Sequence, residues 1–135
     1  MTGAARQVLA WERARNTRLE LTFLRPEAMR RLNRRATGRR GLTDVIAFAL
    51  PQPDGTVVGD VYVCEAAAER WTNGRGRGKG EDGSVATVED ELVRLAVHGT
   101  LHVLGYDHPE GPGRTRCAMW RKQEGYVRRL LARRR

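Results

Sequence analysis

The sequence has little lysine, histidine, cysteine or aromatic character. Of its 25 cationic residues only Lys79 and Lys122 are lysine, and the others are arginine. An imbalance of that kind arises from genome base composition alone, so the placement of the arginines says more than their number. Two cysteines, Cys64 and Cys117, lie too far apart in sequence to suggest a disulfide framework and are expected to be ordinary semi-buried thiols. No uncharged apolar run approaches the roughly eighteen residues that a membrane span requires. Residues 1–16 do not read as a signal peptide, because Arg6, Glu12, Arg13 and Arg15 interrupt the apolar positions. The expected address is the cytoplasm, where thiols stay reduced. With 40% apolar residues the chain has neither a disordered nor a collagen-like profile. Its 135 residues suit one compact domain.

What is present is positive charge, a formal net +9, gathered in two places. Residues 25–40 carry seven arginines against one acid, Glu27. Residues 113–135 carry nine cations against one acid, Glu124. Clusters of one sign suit a polyanion such as nucleic acid. The alternative is a solvated helix face followed by a frayed tail at Arg133–Arg135.

The apolar periodicity predicts an α/β chain. A short amphipathic helix is expected over residues 4–15. Leu19, Leu21 and Phe23 alternate with polar neighbours, the pattern of a half-buried strand. Pro26 suits the first turn of a helix running to about Ala36, with Met29 and Leu32 inward and Gly38 as a stop. Residues 44–50 and 57–64 read as two strands that can pair as a hairpin, and residues 65–71 as a short helix. A Gly-rich stretch at about 73–84 is expected to be a mobile loop. Thr87 followed by Asp90 has the form of a capping box, opening a mostly apolar and therefore central helix that ends at Gly105. A last helix is expected from Arg114 to about Ala132.

The three histidines fall in one window, His98-Gly-Thr-Leu-His102-Val-Leu-Gly-Tyr-Asp-His108. His98 and His102 are four apart, one turn along the same helix face. A turn at Gly105 can bring His108 back to them. Three converging imidazoles suit zinc, with nickel or copper as competitors, and leave an open fourth position of the catalytic type. A zinc peptidase of the HExxH type carries Glu after its first His. Here that position is Gly99, which argues against peptidase chemistry. Asp107 is read either as a partner that orients a ligand imidazole or as a turn-stabilising carboxylate.

The run HGTLHVLGYDH resembles the H-G-x-L-H-x-x-G-Y-D-H signature of the YbeY family of bacterial endoribonucleases. Leu42-Thr43-Asp44-Val45-Ile46-Ala47-Phe48 is similar to that family's T-D-V-L-S-F segment, with Ala47 in place of Ser. Gly59-Asp60-Val61 and Leu32-Asn33-Arg34 resemble its G-D-I and L-N-R segments. The resemblance covers residues from about 20 to 127. It implies a small mixed β-sheet of three to four strands flanked by helices, with a central metal-binding helix. It implies His98, His102 and His108 as zinc ligands, one zinc per chain. It also implies single-stranded RNA as substrate, a ribosomal partner, and a part in 16S rRNA maturation and ribosome quality control.

Two departures from the family pattern bear on function. The family has an Arg six residues before the Thr of its T-D-V segment, and the same count from Thr43 reaches Thr37. The family's opening strand also has little counterpart ahead of residues 4–15, so a sheet with one strand fewer is expected. Arg39 and Arg35 are the candidates to supply the missing catalytic cation, and Arg34, Arg35, Arg39 and Arg40 are the candidate RNA contacts. The preferred reading is a metal-dependent endoribonuclease, with either water or the RNA 2′-hydroxyl as nucleophile. The competing reading, which Thr37 favours, is a non-catalytic RNA-binding ribosome-assembly factor whose zinc only ties a helix to a turn. A zinc hydrolase for peptides or small molecules is the third.

Overall fold

The computed structural model describes residues 2–70, 72 and 87–133. The Gly-rich stretch at about 73–84 lies outside them, as do Arg134 and Arg135. The elements in order are α1 (Thr2–Trp11), β1 (Thr17–Phe23), α2 (Pro26–Thr37), β2 (Val45–Pro51), β3 (Val57–Val63), α3 (Glu65–Arg70), α4 (Val88–Val103), a 3₁₀ segment (Gly111–Arg116) and α5 (Ala118–Ala132). Among the described residues they make an α/β fold with one mixed sheet in the order β1-β3-β2. β1 runs parallel to β3, with Leu21 opposite Val61. β2 pairs antiparallel with β3 as the expected hairpin, with Ala47 opposite Val61.

The period of two along β3 sorts its side chains onto two faces. Val61 and Val63 pack with Leu95 and Val103 of α4, joined by Leu19 and Leu21 of β1 and Val45 and Ala47 of β2. Tyr62 of β3 and Ile46 of β2 belong instead to a cluster built on Met29 of α2, Cys64 and Ala67. Helix α4 is thus buried between layers: the sheet lies on one side, and Val93, Ala96, Val97 and Leu101 meet Ala4 and Val8 of α1 and Met119 and Val127 of α5 on the other.

Two glycines set how closely α4 approaches the sheet. A Cβ on Gly99 would lie 2.5 Å from Cγ1 of Val61, and one on Gly59 would lie 2.4 Å from Cγ1 of Val103. Each lacks a side chain where the partner layer presents a valine. The expected capping box opens α4: the Thr87 hydroxyl accepts the Asp90 N–H at 3.1 Å, and the Asp90 carboxylate accepts the Thr87 N–H at 3.3 Å.

Three expectations need correction. Helix α1 ends at Trp11 rather than near residue 15, and Arg13 then takes a left-handed conformation with φ 55°. The final helix does not start at Arg114. Gly111 has φ 81°, the 3₁₀ segment follows it, and α5 opens only at Ala118. Arg133 is not part of a frayed tail. Its guanidinium donates to Gln7 Oε1 at 2.8 Å and lies near the Trp11 ring, over which Arg129 sits at 4.0 Å. Part of the C-terminal charge is therefore engaged within the fold, in cation–π contacts with α1.

Candidate metal centre and nucleic-acid cleft

His98 and His102 project from one face of α4 near its C-terminus. The helix then ends sharply. Gly105 takes φ 99°, its N–H donates to the His102 carbonyl, and the Tyr106 N–H donates to the Leu101 carbonyl at 3.0 Å. This turn returns His108 to the other two. The ligating nitrogens of His98, His102 and His108 all lie within 4.8 Å of one another. Ring centroids are 4.6, 5.1 and 5.0 Å apart for the three pairs.

The hydrogen-bond partners assign the tautomers. His98 Nδ1 meets Gln123 Oε1 at 2.7 Å, while the Gln123 amide nitrogen donates to Glu124. His102 Nδ1 meets the Tyr106 carbonyl at 3.0 Å, and His108 Nδ1 meets the Pro109 carbonyl at 3.1 Å. Each partner is an acceptor, so each Nδ1 carries the proton and each Nε2 keeps a lone pair. The Nε2 atoms of His98 and His102 face each other at 3.1 Å. Two such lone pairs repel unless a cation lies between them. Nitrogens bound at about 2.0–2.1 Å to one tetrahedral zinc are roughly 3.3 Å apart, so the donor set fits that ion.

The electrostatics favour the neutral form of His98 and His102, the form that metal ligation requires. Burial, reinforced by the neighbouring His102, His108 and Arg114, pushes His98 down to about 3 against the raising effect of Gln123. Burial and then His108 lower His102, again with Arg114 acting in the same direction. Behind His98 the polar chain continues inward. Arg94 binds Glu124 through Nε at 3.0 Å and the buried Glu91 through Nη1 at 3.0 Å. Behind the His102 turn, Glu12 of the α1–β1 connection accepts hydrogen bonds from the Tyr106 and Tyr126 hydroxyls and from Lys122 Nζ. Burial alone would raise the Glu12 carboxyl, but these bonds and the Lys122 charge hold it below its ordinary value.

The imidazoles open into a cleft of about 640 Å³ lined by Asn33, Thr37 and Arg39, by Thr43 to Ala47, and by Asp107, His108, Glu110, Gly111 and Arg114. Thr37, at the family's Arg position, does face this cleft. Its hydroxyl donates toward Asn33 and accepts the Arg39 N–H at 3.1 Å. Arg39 reaches the rim and pairs with Glu110 at 2.5 Å, with both side chains largely exposed. Arg34, Arg35 and Arg40 are exposed and do not line the cleft. Helical phase explains this for Arg34 and Arg35, since Met29, Asn33 and Thr37 recur every four residues along one face of α2 and these two arginines fall between them. Asp107 accepts the His108 N–H at 2.8 Å, the turn-stabilising alternative. Sequence reasoning missed Arg114, because the expected helix start hid it. The signal was present in Gly111-Pro112-Gly113, which predicts a turn there.

The family model for Endoribonuclease YbeY matches residues 2–131. The chain belongs to the YbeY endoribonuclease family. An Endoribonuclease YbeY of Syntrophus aciditrophicus is 34% identical over 118 residues, 82% of this chain and 67% of that protein. One of Staphylococcus aureus is 35% identical over 100 residues, 67% of this chain and 59% of that protein. The aligned stretches thus span about three-fifths to two-thirds of those YbeY relatives. The solution structure of TM1509 from Thermotoga maritima superposes with a TM-score of 0.63 at 26% identity, covering 98% of this chain and 79% of that one. The run that resembles the YbeY signature thus sits on the α4 C-terminus and its turn, and Thr37, where that resemblance implies an Arg, lines the cleft.

Proposed function

We propose that the protein is a zinc-dependent endoribonuclease that cleaves single-stranded RNA, acting in the cytoplasm in 16S rRNA maturation and ribosome quality control with a ribosomal partner. One observation carries the reading: three imidazoles, each with its Nδ1 proton engaged, direct Nε2 lone pairs to one point at the floor of an arginine-bearing cleft. His98, His102 and His108 would hold the ion, zinc by preference and nickel or copper as substitutes. A bound ion supplies Lewis acidity toward a phosphoryl oxygen and toward a nearby hydroxyl. The protein's own part is to favour the neutral form of His98 and His102, to fix the orientation of all three imidazoles through Gln123 and two carbonyls, and to present cations to the phosphate. Arg39 reaches a phosphate at the rim when it leaves Glu110. Arg34, Arg35 and Arg40 lie outside the cleft and contribute to steering the chain toward it.

The test is cleavage of an end-labelled single-stranded RNA by the purified protein, with and without chelator, beside His102→Ala prepared identically. Chelator-sensitive cleavage that the variant lacks supports the reading. A 2′,3′-cyclic phosphate on the products identifies the 2′-hydroxyl as nucleophile, and its absence identifies water. Thr37 in the cleft favours one second reading, a zinc-stabilised RNA-binding assembly factor without turnover. RNA binding without cleavage, by a zinc-loaded protein, establishes that reading instead.

A further inference from the structure

Among the described residues, the cleft contains a cation with a buried donor that the fold does not use. Arg114 lines it beside the three histidines, and its Nε is buried with no hydrogen-bond partner among the described residues. A buried, unsatisfied N–H carries its full desolvation penalty, and more on a charged group, so its retention calls for an explanation. The other arginine of the cleft is differently placed, since Arg39 spends its guanidinium on Glu110 at the exposed rim. Thr37 contributes no charge, and its hydroxyl is already bonded at both ends.

The backbone that carries Arg114 is held in place. Gly111 turns the chain through its φ of 81°. Gly113 folds back on the Pro109 ring, which would lie 3.1 Å from a Cβ there. The Cys117 thiol donates to the Arg114 carbonyl at 3.2 Å. Arg114 lines the same cleft as His98, His102 and His108. A fixed guanidinium next to a cation site weakens that site, so its placement needs a compensating anion. The anion that a metal ion held by the three imidazoles would share with an adjacent arginine is a phosphate oxygen. A planar fork of N–H donors matches it.

We propose that Arg114 is the residue that binds the phosphodiester in this cleft, supplying from the segment after His108 the positive charge that α2 lacks at Thr37. The identity of the anion as an RNA phosphate rests on the endoribonuclease reading. The contact itself does not require turnover.

The experiment therefore reads binding rather than cleavage. A fluorescent, non-cleavable 2′-O-methyl oligonucleotide is titrated into zinc-loaded wild type, Arg114→Ala, Arg114→Lys and Arg70→Ala across a salt series. Arg70, at the end of α3, serves as a control that loses the same formal charge outside the cleft. Arg114→Ala is expected to weaken binding by about tenfold or more and to reduce the salt slope by roughly 0.7, the value for one single-strand phosphate contact. Arg114→Lys is expected to recover part of the affinity, because charge returns without the fork. Arg70→Ala is expected to stay within about twofold, as for a remote surface charge. Zinc affinity is the second readout. Removing a neighbouring cation leaves it unchanged or tighter, whereas a residue needed only for folding would lower zinc and oligonucleotide affinity together. Wild-type oligonucleotide affinity in Arg114→Ala, or a parallel loss of zinc, overturns the proposal. A wild-type protein that binds through Arg114 but leaves RNA uncut refutes the endoribonuclease reading while the Arg114 contact stands.

Discussion

Gln123 of α5 accepts the Nδ1 proton of His98 of α4 at 2.7 Å, so the packing of two helices sets the tautomer of an imidazole in the cleft. The acceptor is buried, with 1% of its surface exposed, and its amide end is held by Glu124. Removing it frees the ring to turn and to take the other tautomer. Gln123→Leu is therefore expected to weaken zinc binding by about 10–100-fold, the usual cost of losing such a partner. Competition with a chromophoric chelator measures it. Unchanged affinity would show that α5 does not orient the ring.

Zinc is also expected to stabilise the fold, because the three histidines converge only in the native chain. Free zinc at about one hundred times its Kd should add about 2.7 kcal/mol. Thermal melts of the protein with zinc, with chelator, and of His102→Ala with zinc check this. The variant should melt at a temperature that no longer responds to the metal. A wild-type midpoint indifferent to zinc would mean that the three imidazoles do not bind it.

Glu12 joins the α1–β1 connection to the turn that follows α4 and to α5, through Tyr106, Tyr126 and Lys122. Its carboxyl is held below the ordinary value of 4.5, so its contribution to stability is complete above that pH and is lost as the pH falls through the lower native value. Glu12→Gln should destabilise by about 1–3 kcal/mol at neutral pH, as for charged hydrogen bonds weakened in a partly buried site. The difference from wild type should shrink as the pH falls below 4.5. Denaturant melts at pH 7 and in mild acid test both statements. A constant difference across that range would remove Glu12 from the account.

Gly99 faces Val61 across the helix–sheet interface. A methyl group on Gly99 would sit 2.5 Å from the valine, so Gly99→Ala should cost about 1–3 kcal/mol of overpacking. Adding Val61→Ala should recover part of that loss. Urea melts of the single and double variants measure the coupling. Additive effects would show that the contact does not limit the approach of the layers.

The histidine window was legible in the sequence because its chemistry and its helical spacing coincide: a pair four apart, a glycine turn, a third imidazole. The capping box at Thr87 and the β2–β3 hairpin were legible for the same reason, since each is local. The start of α5 was not. The apolar period of Met119, Val127 and Leu130 extends smoothly back to Arg114, and only the Gly111-Pro112-Gly113 turn contradicts it. The arginines were harder still. Charge density singled out Arg34, Arg35 and Arg40, yet which cation faces a cleft depends on helix phase and on a loop folding back from 15 residues away in Arg114's case, counted from Gly99. Thr37 was singled out by the resemblance to the YbeY pattern, counted back from Thr43, and the structure adds that it occupies the cleft wall.

The closeness of Gly99 to the sheet also limits what this helix can become. The zinc peptidases place a glutamate directly after their first histidine, and here one substitution would write that motif into the sequence. The space for its side chain is already filled by Val61 of the central strand. A Gly99→Glu chain would have to push helix and sheet apart before any new base could reach the metal. The helix–sheet packing at Gly99 thus closes the shortest mutational path to amide hydrolysis.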